Sequence, residues 1–341
     1  MNNTTPFNYS NAQILAPMVR VTNLPFRLLA YEYGADFCYC EELIDYGLLK
    51  CSRIDIGDLV QLAEPSGKVI FSTRPSVEKD RMIFQVGSND GSRAAKALLP
   101  IADVLSEVGL NLGCPAPPNI KGNMGAALGE KPEQAADVIR TLNRGLNLPV
   151  SAKIRIQPTR QQTQVLVDNL IKAGICALSV HGRTRDMKGS QPALWDEIQF
   201  ALDIAKRAGI PAIANGSVTS QDDVTRIKEA TDCDGVMIGR AAQLNPSIFR
   251  RSGVIDDQLE VTKKYLQYVK ESRMGSKPQY MKYCVQHFLG QDRQIMEKIN
   301  PLKTLSEVCA IVGVSYDLID CQNPRRKNEV GVVDCKRDRN D

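Results

Sequence analysis

Eight short apolar runs, amphipathic helical patterns between most of them, and polar residues at the end of nearly every run predict an α/β protein. The arrangement read from them is a (β/α)8, or TIM, barrel followed by a small C-terminal helical domain. The runs occupy 14–19, 37–41, 83–86, 109–112, 150–155, 177–181, 212–215 and 235–239. Each is nearly unbroken by polar residues until its end, as parallel strands covered on both faces are. A doubly wound sheet is the alternative. It is disfavoured because no G-x-G-x-x-G follows the first run.

The helices announce themselves by their ends and faces. The segment 131–143 opens Lys131-Pro132-Glu133, a proline in the first turn with an acid beside it. Over 159–173, Val165, Leu166, Asn169, Leu170 and Ala173 fall near one face. The segment 220–230 begins with Ser220, followed by Asp222 and Asp223, an N-cap signature. Between 51 and 76 the pattern weakens, and 68–72 reads as an extra strand of an insertion or hairpin. From about Asp256 the pattern is helical only, carried by Leu259, Val261, Tyr265, Leu266 and Val269, then Met281, Cys284, Val285, Phe288 and Leu289. The expected organisation is an N-terminal extension (1–12), the barrel (13–253), the helical domain (254–318) and a polar, basic tail (319–341). The tail carries Arg325-Arg326-Lys327 and Lys336-Arg337 and is expected to be disordered.

Composition narrows the class. The 341 residues are 43% hydrophobic and 24% charged, an ordinary globular balance. A net charge of +4 permits a nucleic-acid partner without demanding one. The ten cysteines show no repeating spacing and no C-x-x-C pair, which suits free thiols in a reducing compartment. His181 and His287 are the only histidines, so no metal site is expected. The polar N-terminus lacks the pattern of a secretory signal, and no apolar stretch reaches the length of a membrane span. A cytoplasmic, monomeric protein is the default expectation.

Chemistry concentrates at the run ends, which meet at one face in such a barrel. Asn111-Leu112-Gly113-Cys114-Pro115 delivers a thiol to that face, and Pro115 keeps Cys114 extended. By itself this cysteine is a nucleophile, a proton donor or a small buried hydrophobe. Glu41 with Glu42, Gln85, Lys153, Arg155 and His181 stand at other run ends. The last two runs end in Asn215-Gly216-Ser217 and Gly239-Arg240, small residues that let backbone N–H groups approach a phosphate, with Arg240 adding a charge. Pro17, Met18 and Val19 would cover one face of a ring. A flat, heteroatom-rich ring held by Gln85, Lys153 and His181 suits flavin mononucleotide (FMN). His287, among apolar helix residues, reads as structural.

Several of these segments resemble the tRNA-dihydrouridine synthases in order and spacing. They are Leu15-Ala16-Pro17-Met18, Asn111-Leu112-Gly113-Cys114-Pro115, Lys153-Ile154-Arg155, Val180-His181-Gly182-Arg183, Ala214-Asn215-Gly216 and Gly239-Arg240. Tyr39-Cys40-Glu41-Glu42-Leu43-Ile44-Asp45, Lys121-Gly122-Asn123-Met124-Gly125-Ala126-Ala127-Leu128 and Asn245-Pro246-Ser247-Ile248-Phe249 are most similar to the eukaryotic branch acting at position 20 of the D-loop. The resemblance implies reduction of the C5–C6 bond of a uridine in tRNA, with hydride from reduced FMN recharged by NADPH or NADH. It makes Cys114 the acid that protonates C5 and places Lys153 and His181 at the flavin. Asn111 and Arg155 are expected to hold the uracil or flavin edge. Lys263, Lys264, Lys277 and Lys282 of the helical domain are expected to contact tRNA phosphates, against the reading of a solvated helix face. Animal members of this branch carry a double-stranded RNA-binding domain after the helices. None is read in this chain, and the basic tail is the expected substitute. Ser217 stands where many relatives have a second glycine, and its N–H still serves a phosphate. The competing readings are a flavin reductase of a free pyrimidine and an RNA-binding or scaffold protein without chemistry.

Overall fold

The computed structural model describes residues 5–272 and 278–315. Eight parallel strands form a closed barrel: β1 (Ala12–Leu15), β2 (Phe37–Tyr39), β3 (Met82–Gly87), β4 (Glu107–Leu112), β5 (Val150–Arg155), β6 (Leu178–His181), β7 (Ala212–Asn215) and β8 (Gly235–Ile238). Each pairs with its sequence neighbours; β1 with β8 and β2 with β3 complete the ring. The expected first run is cut short, because β1 ends at Leu15 rather than continuing to Val19. Pro17 has no N–H for the ladder, and Met18 turns the chain by accepting bonds from the N–H groups of Val21 and Thr22. The Ala16–Pro17–Met18–Val19 segment is thereby freed to line the barrel mouth.

Period-two alternation sorts the side chains of each strand. On β4, Val108, Leu110 and Leu112 pack outward against the helices, leaving Gly109 and Asn111 on the inner face. On β5, Val150, Ala152 and Ile154 pack outward, leaving Ser151, Lys153 and Arg155 inside. Phe37, Tyr39, Ile83, Ile213 and Met237 fill the barrel interior. The segment before β1 is more than a polar extension. Phe7 and Tyr9 join that interior core, Phe7 stacking on Phe37 with ring centroids 4.9 Å apart. Glu107, fully buried, accepts hydrogen bonds from Thr5 Oγ1 (2.6 Å) and Tyr9 Oη (2.9 Å), tying this plug to the start of β4.

The insertion expected at 51–76 is a three-stranded antiparallel sheet of Ser52–Ile56, Leu59–Ala63 and Val69–Thr73. Phe71 seats it edge-to-face on Phe84 of β3 at 4.9 Å. A buried ion pair fastens it further: Arg27 Nε lies 2.6 Å from Glu78 Oε1. Thr73 Oγ1 donates to Glu78 Oε2, and Arg27 Nη2 donates to the Ser72 carbonyl. Removing either charge strands the other in the core, at a cost of about 3–5 kcal/mol.

Helix Pro132–Leu146 follows the predicted start. Helix Arg160–Lys172 is capped by Thr159, and helix Gln221–Thr231 by Ser220. The face expected on Arg160–Lys172 is rotated. Thr163, Leu166, Val167 and Leu170 are buried, while Val165 is 45% exposed. Four helices, Gln258–Glu271, Pro278–Phe288, Arg293–Ile299 and Leu305–Val312, complete the described chain. They pack on helix Leu24–Glu32 through Phe26, Tyr265 and Phe288, whose rings meet at 5.4–6.3 Å. One apolar cluster runs from the barrel's outer layer into these helices, so the proposed 254–318 unit shares a core with the barrel. The tail 319–341 lies outside the described residues.

Candidate active site at the barrel mouth

The C-terminal ends of the strands surround a cavity of about 890 Å³. Cys114 reaches it from a turn fixed on both sides. Asn111 Oδ1 accepts from the N–H groups of Gly113 and Cys114, each at 2.9 Å, which curls the chain at the end of β4. The Cys114 carbonyl accepts from Ala126 N at 3.0 Å. Gly125 makes that return possible: it has φ +56°, and a Cβ there would stand 2.5 Å from the Cys114 oxygen. Asn111 Nδ2 donates to Gln85 Oε1 at 3.3 Å. Asn111, expected to hold an edge of the base or flavin, therefore spends its oxygen on the backbone that carries the thiol.

A cationic wall faces the thiol. Lys153 Nζ donates to Asn215 Oδ1 at 3.2 Å, and Asn215 Nδ2 donates to the Met237 carbonyl at 2.8 Å. Arg155 donates to the carbonyls of Gly113 (2.7 Å) and Thr184 (3.1 Å). Arg183 donates to the Gln191 carbonyl (2.6 Å) and Ser217 Oγ (3.0 Å), and its Nη1 lies 3.3 Å from His181 Nε2. The partners of Lys153, Arg155 and Arg183 are neutral oxygens and the His181 ring, and among the described residues none of the three sits in an ion pair. Burial, then Lys153, Arg155, Arg183 and Arg240, push the His181 imidazole down to about 2, leaving it neutral. Burial, then Arg155, bring Lys153 down to about 8. On the opposite side, burial and then the Glu42 charge raise the Cys114 thiol, keeping it protonated at neutral pH.

The expected cofactor residues come together. Pro17, Met18 and Val19 line the cavity from the loop after β1, and Gln85 from β3. Gly216 and Ser217 follow β7, with Gly239 and Arg240 after β8. Gly216 adopts φ +125°, and Ser217 also lies at positive φ, where its hydroxyl accepts from Arg183 and from Ala193 N. The serine thus has a bonding role that a glycine would lack. Three buried polar atoms at the cavity, Glu42 Oε1, Gln85 Nε2 and His181 Nδ1, have no nitrogen or oxygen partner among the described residues.

Two of the lysines expected to meet RNA, Lys264 and Lys282, have partners within the chain. Lys263 lies on helix Gln258–Glu271. Lys264 pairs with Glu32. Lys282 donates to the carbonyls of Asn300 (2.7 Å) and Leu302 (2.6 Å), and so braces the end of a neighbouring helix. Lys277 falls outside the described residues. His287 Nδ1 sits 2.8 Å from the Tyr283 carbonyl one turn earlier. Among the described residues no group of three or more His, Cys, Asp or Glu side chains is placed to hold a metal, and no helix is long and apolar enough to cross a membrane.

Two site residues escape a reading by strand ends, Arg183 and Asn119; Glu42, read there beside Glu41, carries no role in that reading. Arg183 is two positions beyond His181 and shares its parity, a signal present in the sequence. Asn119, buried on the short helix Pro117–Lys121 after Cys114, has no such signal; its Nδ2 donates to Glu42 Oε2 at 2.8 Å.

Comparison with known proteins agrees with this geometry. The dihydrouridine synthase (Dus) family model matches residues 14–310. The chain is 32% identical over 342 aligned positions to tRNA-dihydrouridine(20) synthase [NAD(P)+] of Schizosaccharomyces pombe, covering 96% of this chain and 70% of that protein. It is 31% identical to the Saccharomyces cerevisiae protein of the same name, covering 71% and 67% of the two chains. With a probable tRNA-dihydrouridine synthase of Aquifex aeolicus it shares 33% identity, over 70% and 71%. A cysteine delivered to a cation-walled barrel mouth, within a chain matched over nearly its whole described length, places this protein in the dihydrouridine synthase family.

Proposed function

We propose that this chain reduces the C5–C6 bond of uridine 20 in the D-loop of tRNA to dihydrouridine, with FMN bound across the barrel mouth and NADPH or NADH as reductant. The observation that carries this reading is the protonated Cys114 thiol facing a wall of cations that form no ion pair among the described residues. Family membership supports the reaction, and the names of the two yeast relatives support both the position and the nicotinamide reductant.

The residues present fit FMN. Lys153, Arg155, Arg183 and Arg240 supply the positive charge that a phosphate and an electron-rich ring edge require. Gln85 Nε2 and His181 Nδ1 are buried groups awaiting partners, which the heteroatoms of such a ring offer. Gly216 and Gly239 line the cavity, and at Gly216 a side chain would meet Ala193 and the His181 ring. When bound, FMN supplies the hydride for C6 of the base. The chain's own part is to place and hold protons. Asn111 fixes the backbone at Cys114, and burial keeps the thiol loaded until C5 gains electron density and takes its proton. Lys153 offsets negative charge developing at the mouth. The uridine must leave the RNA stack to reach a cavity of this depth, at a cost of about a few kcal/mol offset by contacts to the base and backbone.

The test joins a spectrum to an assay. The purified protein should show flavin absorbance and release FMN on denaturation. With NADPH it should form dihydrouridine in an unmodified tRNA transcript, and lose that product when U20 alone is replaced by cytidine. Product retained after that replacement would assign a different uridine. Turnover of free uridine at the tRNA rate would favour the small-pyrimidine reductase, and a protein that takes up no FMN would leave an RNA-binding role.

A further inference from the structure

The geometry points to Glu42 as the group that reloads the Cys114 thiol with a proton after each turnover. This rests on the reading above that Cys114 protonates C5. Glu42 supplies the one carboxyl among the described residues lining the cavity. It follows β2 and lies across the mouth from the cationic wall, beside the thiol.

Its bonding differs from that of the chain's structural acids. Glu78 and Glu107, both fully buried, have both oxygens filled: Arg27 and Thr73 serve Glu78, and Thr5 and Tyr9 serve Glu107. In Glu42, Oε2 is held by Asn119 Nδ2 and Oε1 is buried without a nitrogen or oxygen partner, with the Cys114 thiol within hydrogen-bonding reach of the carboxyl. An unpaired buried acceptor costs free energy, so stability alone gives no reason for this arrangement of Glu42. The surroundings preserve the arrangement. A Cβ at Gly87 would stand 2.5 Å from Glu42 Oε1, so glycine there leaves the carboxyl its place. Asn119 belongs to the same loop that returns to Cys114 through Gly125, and its carbonyl accepts from Met124 N at 2.8 Å. One loop thus positions both the thiol and the acid. Burial raises the Glu42 carboxyl above its ordinary range, toward the protonated form such a donor needs.

The proton balance is closed. As C5 takes the proton, the S–H bond breaks and its electron pair stays on sulfur. The thiolate then takes the Glu42 proton, forming S–H and leaving a carboxylate. Water at the open mouth returns a proton to that carboxylate. No electrons pass between Glu42 and Cys114, so no further oxidant or reductant enters.

Two measurements on the full chain test this. The first follows iodoacetamide alkylation of Cys114 against pH by peptide mass mapping, on the protein as purified, without tRNA or reductant. Replacing the acid by its neutral isostere, Glu42→Gln, should move the alkylation midpoint to lower pH, while Glu42→Asp stays nearer the wild type. An unmoved midpoint overturns the proposal. The second is rapid-quench turnover with NADPH and unmodified tRNA. Glu42→Gln should give at most one dihydrouridine per site in a burst, then turn over about tenfold or more slowly, with Glu42→Asp partly restoring the later turnovers. Equal slowing of the burst and of later turnovers overturns the proposal and makes Glu42 a base-positioning group. A wild type that forms no dihydrouridine removes the functional reading instead, and the alkylation midpoint then decides the link between Glu42 and the thiol alone.

Discussion

The two ends of this barrel are made by the same eight strands and are built to opposite specifications. At the bottom, Phe7 and Tyr9 close the interior, and the buried Glu107 carboxyl has both oxygens engaged by Thr5 and Tyr9. At the mouth, Gln85, His181 and Glu42 each keep a buried polar atom without a nitrogen or oxygen partner, and Lys153, Arg155 and Arg183 crowd together with only neutral oxygens and the His181 ring to bond. Groups satisfied within the chain stabilise it. Groups left unsatisfied at the cavity are available to a ligand, and the cost of holding them is carried by the rest of the fold. Changes at the mouth should therefore alter chemistry, and changes at the bottom should alter stability.

The sharpest break in that comparison is Cys114→Ala. It should lower dihydrouridine formation about 10²–10⁴-fold while leaving the bound flavin and the melting temperature close to the wild type. Next is Gly216→Val. At φ +125°, with a Cβ 2.8 Å from that of Ala193, the substitution strains the backbone by about 1–3 kcal/mol. Flavin released per mole of protein should drop with it, and full flavin content would show that the turn after β7 does not border the cofactor.

At the bottom, Tyr9→Phe removes the donor to Glu107 Oε1 and should cost about 1–3 kcal/mol in denaturant unfolding. The turnover rate should not move; a matching fall in rate would erase the division between the two ends. Glu107 also gives a pH signature. Burial raises its folded carboxyl above the ordinary value of 4.5, so the folded state binds more protons there than the unfolded. Its contribution is full below the unfolded value and declines as pH rises through the folded one, and Glu107→Gln should flatten that slope.

A smaller effect belongs to Lys153, which is charged below about 8 and neutral above. Affinity for FMN should weaken by about tenfold as pH rises through that value, and Lys153→Gln should remove the dependence. Smallest of all, Val165→Ala on the exposed side of helix Arg160–Lys172 should shift stability by less than about 0.5 kcal/mol.

Much of this was readable in the chain because strand alternation is a local rule. On β5, Lys153 and Arg155 fall inside wherever Ala152 and Ile154 fall outside, so placing the strand places the cations. Glu42 shows where that rule stops. Phe37 and Tyr39 face inward on β2, and continued alternation would send Glu41 into the mouth. The strand ends at Tyr39, the parity lapses, and Glu41 turns to accept from Arg20 N while Glu42 lines the cavity. Val165 fails for a related reason: a face read from spacing alone carries no reference to which neighbour the helix will meet.

The sequence by itself determined the eight strands, the helix cap at Ser220, the insertion, and the strand ends that carry Cys114, Lys153 and His181. These follow from periodicity and capping, which act over a few residues. Only the tertiary structure decided that Thr5–Tyr9 plugs the barrel, that Lys264 and Lys282 are engaged within the chain, and that Glu42 meets Cys114. Those outcomes depend on contacts between residues dozens to hundreds of positions apart, where burial and charge compensation are settled by partners that no local pattern names.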